Sequence, residues 1–257
     1  MSWASKRKFL YFLSVLIIVS AVVAIPTYIA LDKAPTCVDN KQNGEEVGVD
    51  CGGPCDKLCS SQTSELIVHW SRGFKVTDGV YDVVAYVENV NAKAGIESII
   101  YKFKLYDEKN ILIEEKLGKT YVGPNEQFAV FESGIRTGQR IPKRVFFEFK
   151  PDPEWKRIEI PSDETTHISI RNQQITDIST KPRLKALLVN DKPLPVSNIE
   201  VVAILYDIED NAIAVSATHV DGIDKNGTQQ VSFTWQEPFA VNPVRISIIP
   251  RVNFFEL

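Results

Sequence analysis

The only four cysteines of this 257-residue chain, Cys37, Cys51, Cys55 and Cys59, fall within 23 residues. Thiols at that density either bridge one another or hold a metal. The intervening lengths of 13, 3 and 3 residues depart from the paired C-x2-C of zinc sites. An even, compact set outside the cytoplasm reads instead as two disulfides, with three connectivities open. So short a segment has no core of its own, and covalent closure has to hold it. Gly52-Gly53-Pro54 supplies the tight backbone between the second and third cysteines. Four oxygen-bearing side chains in the same stretch, Asp39, Asn43, Glu45 and Asp50, form a calcium candidate, although they lack the twelve-residue EF-hand order. The plainer alternative is a solvated loop between disulfides.

Other residue types that do chemistry are sparse. His69, His167 and His219 are scattered, and neither Gly-x-Ser-x-Gly nor His-Glu-x-x-His occurs. His167 and His219 are a remote pair, read as polar strand positions. Glu114-Glu115 reads as a solvated strand face. The basic run Arg136, Arg140, Lys143 and Arg144 reads as a charged loop rim that an anionic envelope polymer would also suit. Asn226-Gly227-Thr228 fits the pattern of an N-glycosylation acceptor but is read as a turn, with Asn and Gly taking unusual backbone angles. The expectation is a non-enzymatic protein with no cofactor beyond the calcium candidate.

These residues need a scaffold, and the chain begins with an anchor. Lys6-Arg7-Lys8 precedes an uncharged run from Phe9 to Leu31. As a helix, 23 residues span about 34 Å, enough to cross a bilayer core. Pro26 lies near its outer end, where a kink is tolerable. A cleaved signal peptide, with Val22-Val23-Ala24 as its site, is the rival, but the apolar run continues past Pro26. The basic triplet keeps the N-terminus cytoplasmic. Beyond the helix stand 26 basic and 33 acidic residues, a net −7, which argues against nucleic-acid binding and against lying on anionic lipid.

Past the cysteines the chain alternates with period two. Ile99, Tyr101, Phe103 and Leu105 make one face of a strand, and Asp107-Glu108-Lys109-Asn110 turns it back. The pattern recurs: Ile199, Val201, Ala203 and Leu205, then Tyr206-Asp207 and another turn. Upstream, Ala85–Asn89 aligns with Ala186–Asn190; downstream, Gln127–Phe131 aligns with Gln229–Phe233, and Val145–Phe149 with Val244–Ile248. A repeat of about 100 residues is the size of a β-sandwich. The fold class is therefore all-β, two immunoglobulin-like sandwiches in tandem after one transmembrane helix and a Cys-rich stalk. The segments are 1–8 cytoplasmic tail, 9–31 helix, 32–63 stalk, 64–151 first sandwich and 152–257 second. Pro151 and Pro153 mark the boundary, and the short linker predicts a semi-rigid rod.

Two resemblances add to this. Cys37, Asp39, Asn43, Asp50, Cys51, Gly52, Gly53 and Cys55 resemble a short motif of bacterial surface and secreted proteins, C-x-D-x-x-x-N-x-x-E-x-x-x-D-C-G-G-x-C-x-x-C, whose acidic position falls on Glu46, or on Glu45 with a shift of one. It implies an exported, linker-like element. Phe103-Lys104-Leu105-Tyr106-Asp107 matches F-x-L-Y-D, and Ala203-Ile204-Leu205-Tyr206-Asp207 matches it in part. This resembles the FxLYD family of immunoglobulin-like domains on bacterial and archaeal envelope proteins. It implies Leu105 in the core, Tyr106 over a sheet edge or outer face and Asp107 starting the turn, with Leu205, Tyr206 and Asp207 as the motif residues of the second copy. Together these imply a single-pass, membrane-anchored envelope protein presenting interaction surface outside, with other envelope or surface proteins as partners, in an envelope or filament assembly. The alternative is a surface receptor that binds a ligand or calcium through the stalk or the inter-domain cleft.

Overall fold

The structure is a computed structural model that describes residues 3–31, 36–159, 168–253 and 255. It divides into two units, 1–55 and 56–257.

The first unit holds helix α1, Trp3–Leu31. Its segment Ser5–Tyr28 is long and apolar enough to cross a membrane, and none of it is buried against protein. Pro26 lies inside the helix, and the Thr27 hydroxyl donates to the Val23 and Ala24 carbonyls, the internal satisfaction a polar side chain needs where water is absent.

The second unit is all-β. In its first half β1 (Ile67–Thr77), β2 (Val80–Asn89), β3 (Ala94–Tyr106), β4 (Leu112–Val122), β5 (Glu126–Arg136) and β6 (Arg144–Phe149) form two antiparallel sheets, ordered β1-β2-β5 and β4-β3-β6. A short strand β7 (Lys156–Arg157) pairs with the start of β3. The alternation puts Val83, Ala85 and Val87 of β2 against Ile99, Phe103 and Leu105 of β3, all buried. Tyr101, Phe103, Phe147 and Phe149 pack ring on ring through this core, Tyr101 on Phe103 and Phe147 on Phe149 edge to face and Phe103 on Phe147 tilted.

The second half repeats the topology. Strands β8 (Ile168–Thr176), β9 (Arg183–Asn190), β10 (Val196–Tyr206), β11 (Ala212–Ile223), β12 (Thr228–Thr234) and β13 (Arg245–Val252) give sheets β8-β9-β12 and β11-β10-β13. Ala203 stands where the first core has Phe103, and Phe233 brings aromatic bulk. A buried asparagine ends β2 and β9 alike. Asn89 donates to the Ala94 and Gly123 carbonyls; Asn190 donates to those of Leu194, Ile223 and Asp224. Each amide ties loops together that would otherwise leave buried carbonyls unpaired.

Strand pairing corrects parts of the repeat alignment. Ala85 pairs with Val130 and Ala186 with Val231. Val231 is thus the counterpart of Val130, one residue from the sequence alignment, and a one-residue slip in a strand exchanges its faces. Likewise Leu105 pairs with Val145 and Leu205 with Ile246, a shift of two. The chain also stays with the first sandwich beyond residue 151. Trp155 is buried in the first core, its carbonyl accepts the Leu58 N–H, and β7 follows it. The prolines therefore mark a turn within the first sandwich rather than its end.

Candidate functional site

Residues 37–55 form a closed loop. Cys37 is bonded to Cys55 with Cα atoms 5.8 Å apart, Cys51 and Cys59 are likewise disulfide-bonded, and no cysteine is free. The calcium candidates are engaged within the loop. Asp50 accepts the Asp39 and Asn40 N–H groups, each at 2.9 Å; Asp39 accepts the Lys41 N–H and the Asn43 amide. That Asn43 bond holds the Asp39 carboxyl below its ordinary range. The motif's acidic position falls on Glu46, which accepts the Asn43 N–H. Glu45 contributes its backbone: a Cβ on Gly53, at φ +57°, would come within 1.9 Å of the Glu45 carbonyl oxygen. Asp39, Asn43, Asp50 and Gly53 thus each have a task in shaping this loop.

The two Leu-Tyr-Asp hairpins are built alike. Asp107 Oδ1 accepts the Lys109 and Ile111 N–H groups, and Asp207 Oδ1 accepts those of Glu209 and Asn211. Asn110 and Asp210 close the turns at φ +61° and +62°, the left-handed region that Asn and Asp tolerate. Phe103, Leu105 and Leu205 are fully buried. Tyr106 packs edge-on to Phe146, whereas Tyr206 lies 3.6 Å beneath the Arg245 guanidinium. From the basic run, Arg140 pairs with Asp107 at 2.9 Å, so it braces the hairpin. The Ile111 and Lys109 N–H groups and the Arg140 cation hold the Asp107 carboxyl below its usual value. A depressed carboxyl stabilises the fold above its unfolded pKa, and that stability is lost as pH falls through the folded value. The melting-temperature gap between wild type and D107N should therefore be full at neutral pH and close on acidification. A gap that persists in strong acid refutes the capping role.

The two sandwiches are not an end-to-end rod. Val84 and Ala129 of the first pack with Val202, Ile204, Tyr206, Ala212 and Val215 of the second in a third buried cluster, flanked by Trp70, Phe74 and Phe131. Sheet β1-β2-β5 lies face to face on sheet β11-β10-β13. Glu200–Val202 lie against β5, while Asn211 and Ala212 accept from Arg72 of β1. Strand β10 thus crosses that sheet from its β5 side towards its β1 side. Arg251 of β13, 2% exposed, reaches into the first sandwich. It donates to Glu126 Oε1 (2.9 Å), Thr120 Oγ1 (3.2 Å) and the Tyr121 carbonyl (2.7 Å), with its guanidinium 4.2 Å from the ring centres of Tyr121 and Phe128. The buried charge is compensated from every side, as it has to be.

Beside Arg251 the interface opens into a cavity of about 370 Å³, lined by Tyr101, Lys119, Ser133, Glu200 and His219 among others. Tyr101 donates to Glu132 at 2.9 Å; burial, then that carboxylate, raises its phenol above the ordinary range. His219 stands 3.6 Å from Asp221 and His69 2.8 Å from Glu88, both exposed. His167 lies outside the described residues. Glu115 pairs with Lys102 at 3.0 Å, a surface ion pair.

The interface was missed from sequence, yet a signal existed. At equivalent positions Lys102 and Lys104 are replaced by Val202 and Ile204, Glu115 by Val215, and Glu148 by Ile249. On the partner sheet the bias reverses: Val84, Ala129 and Phe131 correspond to Lys185, Gln230 and Ser232. The docked faces are apolar and the free faces polar at the same places in the repeat.

No family model matches the chain, and no curated protein matches it. Among solved structures, the chain is similar to a red sea bream transglutaminase (12% identity, TM-score 0.27), covering 74% of this chain and 31% of the enzyme. It is similar to the calcium binding domain CBD12 of CALX1.1 (11%, 0.21), covering 68% and 74%. A β-glucuronidase from glycoside hydrolase family 2 (11%, 0.22) covers 86% of this chain and 29% of its own. The chain spans about a third of the transglutaminase's length, and likenesses at this level carry nothing on activity.

Proposed function

We propose that this chain is a non-enzymatic, membrane-anchored envelope protein that holds a pair of immunoglobulin-like domains outside the membrane for structural or protein-interaction roles. The observation that carries this is the order of parts in the first unit: an apolar helix with no buried face, followed six residues later by an oxidised cysteine. A bare apolar helix needs lipid, and a stable disulfide needs an oxidising compartment. With Lys6, Arg7 and Lys8 held inside, residues 32–257 lie outside. Helix α1 acts as an uncleaved signal anchor and the disulfide loop as a spacer. The F-x-L-Y-D resemblance supports an envelope setting, and partners are envelope or surface proteins.

Protease added to sealed membrane vesicles with their outer face exposed tests this. The expected result is loss of residues beyond the anchor while α1 and its basic tail stay protected. A body that is digested only after detergent places it inside and overturns the reading. A mature N-terminus after Ala24 overturns the anchor.

A further inference from the structure

We propose that Asn226 is the acceptor of an N-linked glycan. This rests on the extracytoplasmic placement of residues 32–257. Asn226-Gly227-Thr228 runs from the β11–β12 connection into the first residue of β12, with Asn226 and Thr228 exposed. An acceptor has to sit on an accessible surface turn in an exported chain, and this one does. The backbone explains the first two residues. Asn226 takes φ +52°, and a Cβ on Gly227 would meet the Asp224 carbonyl oxygen at 2.8 Å. Asn125 holds the equivalent turn of the first sandwich at φ +45°, followed by Glu126-Gln127 and so without an acceptor motif. The side-chain amide of Asn226 and the hydroxyl of Thr228 make no hydrogen bond among the described residues, so both are free for a transferase.

A second feature of the site suits a sugar. Beside the turn lies a hollow of about 390 Å³, lined by Ser197, Asp224, Thr228 and Gln229 with Gly222 and Gly227. Its polar groups match the hydroxyls of a first saccharide. The hollow lies at one end of the second sandwich, outside the buried cluster that joins the two domains, so a glycan there leaves that packing intact.

The donor is a lipid-linked oligosaccharyl pyrophosphate. The Asn226 Nδ2–C1 bond forms as the C1–O bond to pyrophosphate breaks; Nδ2 loses one proton and the lipid pyrophosphate departs with the bonding electrons.

The full chain, purified from the membranes of its native host, is digested and the peptide carrying Asn226 is weighed before and after amidase deglycosylation. The expected result is a saccharide mass on that peptide, lost together with conversion of Asn226 to Asp. The variant T228V, which leaves the turn residues in place, abolishes it, and T228S retains it in part. An unmodified Asn226 peptide from chains whose body is protease-accessible from outside overturns the glycan and leaves the topology standing. An unmodified peptide from chains whose body is protected overturns both. Saccharide that survives T228V overturns Asn226 as the acceptor.

Discussion

The double variant V202K/I204K should separate the two sandwiches without unfolding either. It places in β10 the lysines that β3 carries at equivalent positions, Lys102 and Lys104. In β3 those ammonium groups pair with Glu115 and Glu148 in a solvated face. In β10 they would enter a cluster of Val84, Ala129, Tyr206 and Val215 that holds no carboxylate. Burying an unpaired cation costs several kcal/mol for each such group. Each lysine remains compatible with its own sandwich, because it points away from that sandwich's core. Calorimetry of the detergent-solubilised chain should show one cooperative transition in wild type and two in the variant, with Trp70 becoming solvent-exposed. A single unchanged transition in the variant would refute the face-to-face stack.

Replacing Arg251 should be the costliest single substitution at this interface. R251A removes the cation from Glu126 and leaves the Thr120 hydroxyl and Tyr121 carbonyl without their shared donor. Loss of one partner of a buried ion pair costs about 3–5 kcal/mol. R251M keeps the apolar stem between the Tyr121 and Phe128 rings and should lose less in combination with E126Q than alone, because the stranded carboxylate is then gone. R251K keeps the charge but not the planar fork that serves three acceptors, so it should fall between. Chemical denaturation reads all four. A loss for R251A below about 1 kcal/mol, the level of an exposed pair, would mean that Arg251 does not join the sandwiches.

Much of this molecule was legible in its residues because the signals are local. Period-two alternation in β3 and β10 reports one buried face within a few residues. The turns after Leu105-Tyr106 and Leu205-Tyr206 are written in Asp and Asn, whose side chains bond the backbone two to four residues on. The cysteine cluster announced disulfides, but the pairing of Cys37 with Cys55 was one of three and depends on how the loop closes. That closure runs through Asp50, which bonds the backbone ten and eleven residues back, and through the close approach of Gly53 to Glu45, and spacing alone displays neither.

What sequence by itself determined is local: the apolar N-terminal helix, the oxidised loop, the repeat, the inward-facing positions and the turn residues. Tertiary structure decided which outward faces meet. Alternation identifies two faces of a strand but does not say whether the outer one faces water or a second sheet. The run Val201-Val202-Ala203-Ile204-Leu205 is apolar on both faces, and its partner face is assembled from Val84, Ala129 and Phe131 on separate strands. Those residues become one surface only when β2 and β5 pair in the observed register. The same holds for Trp155, which looks like linker until β7 pairs with β3 and carries it into the first core. Contacts between residues more than a hundred positions apart, such as Arg251 with Glu126, leave no periodicity behind, because no local spacing links the two ends.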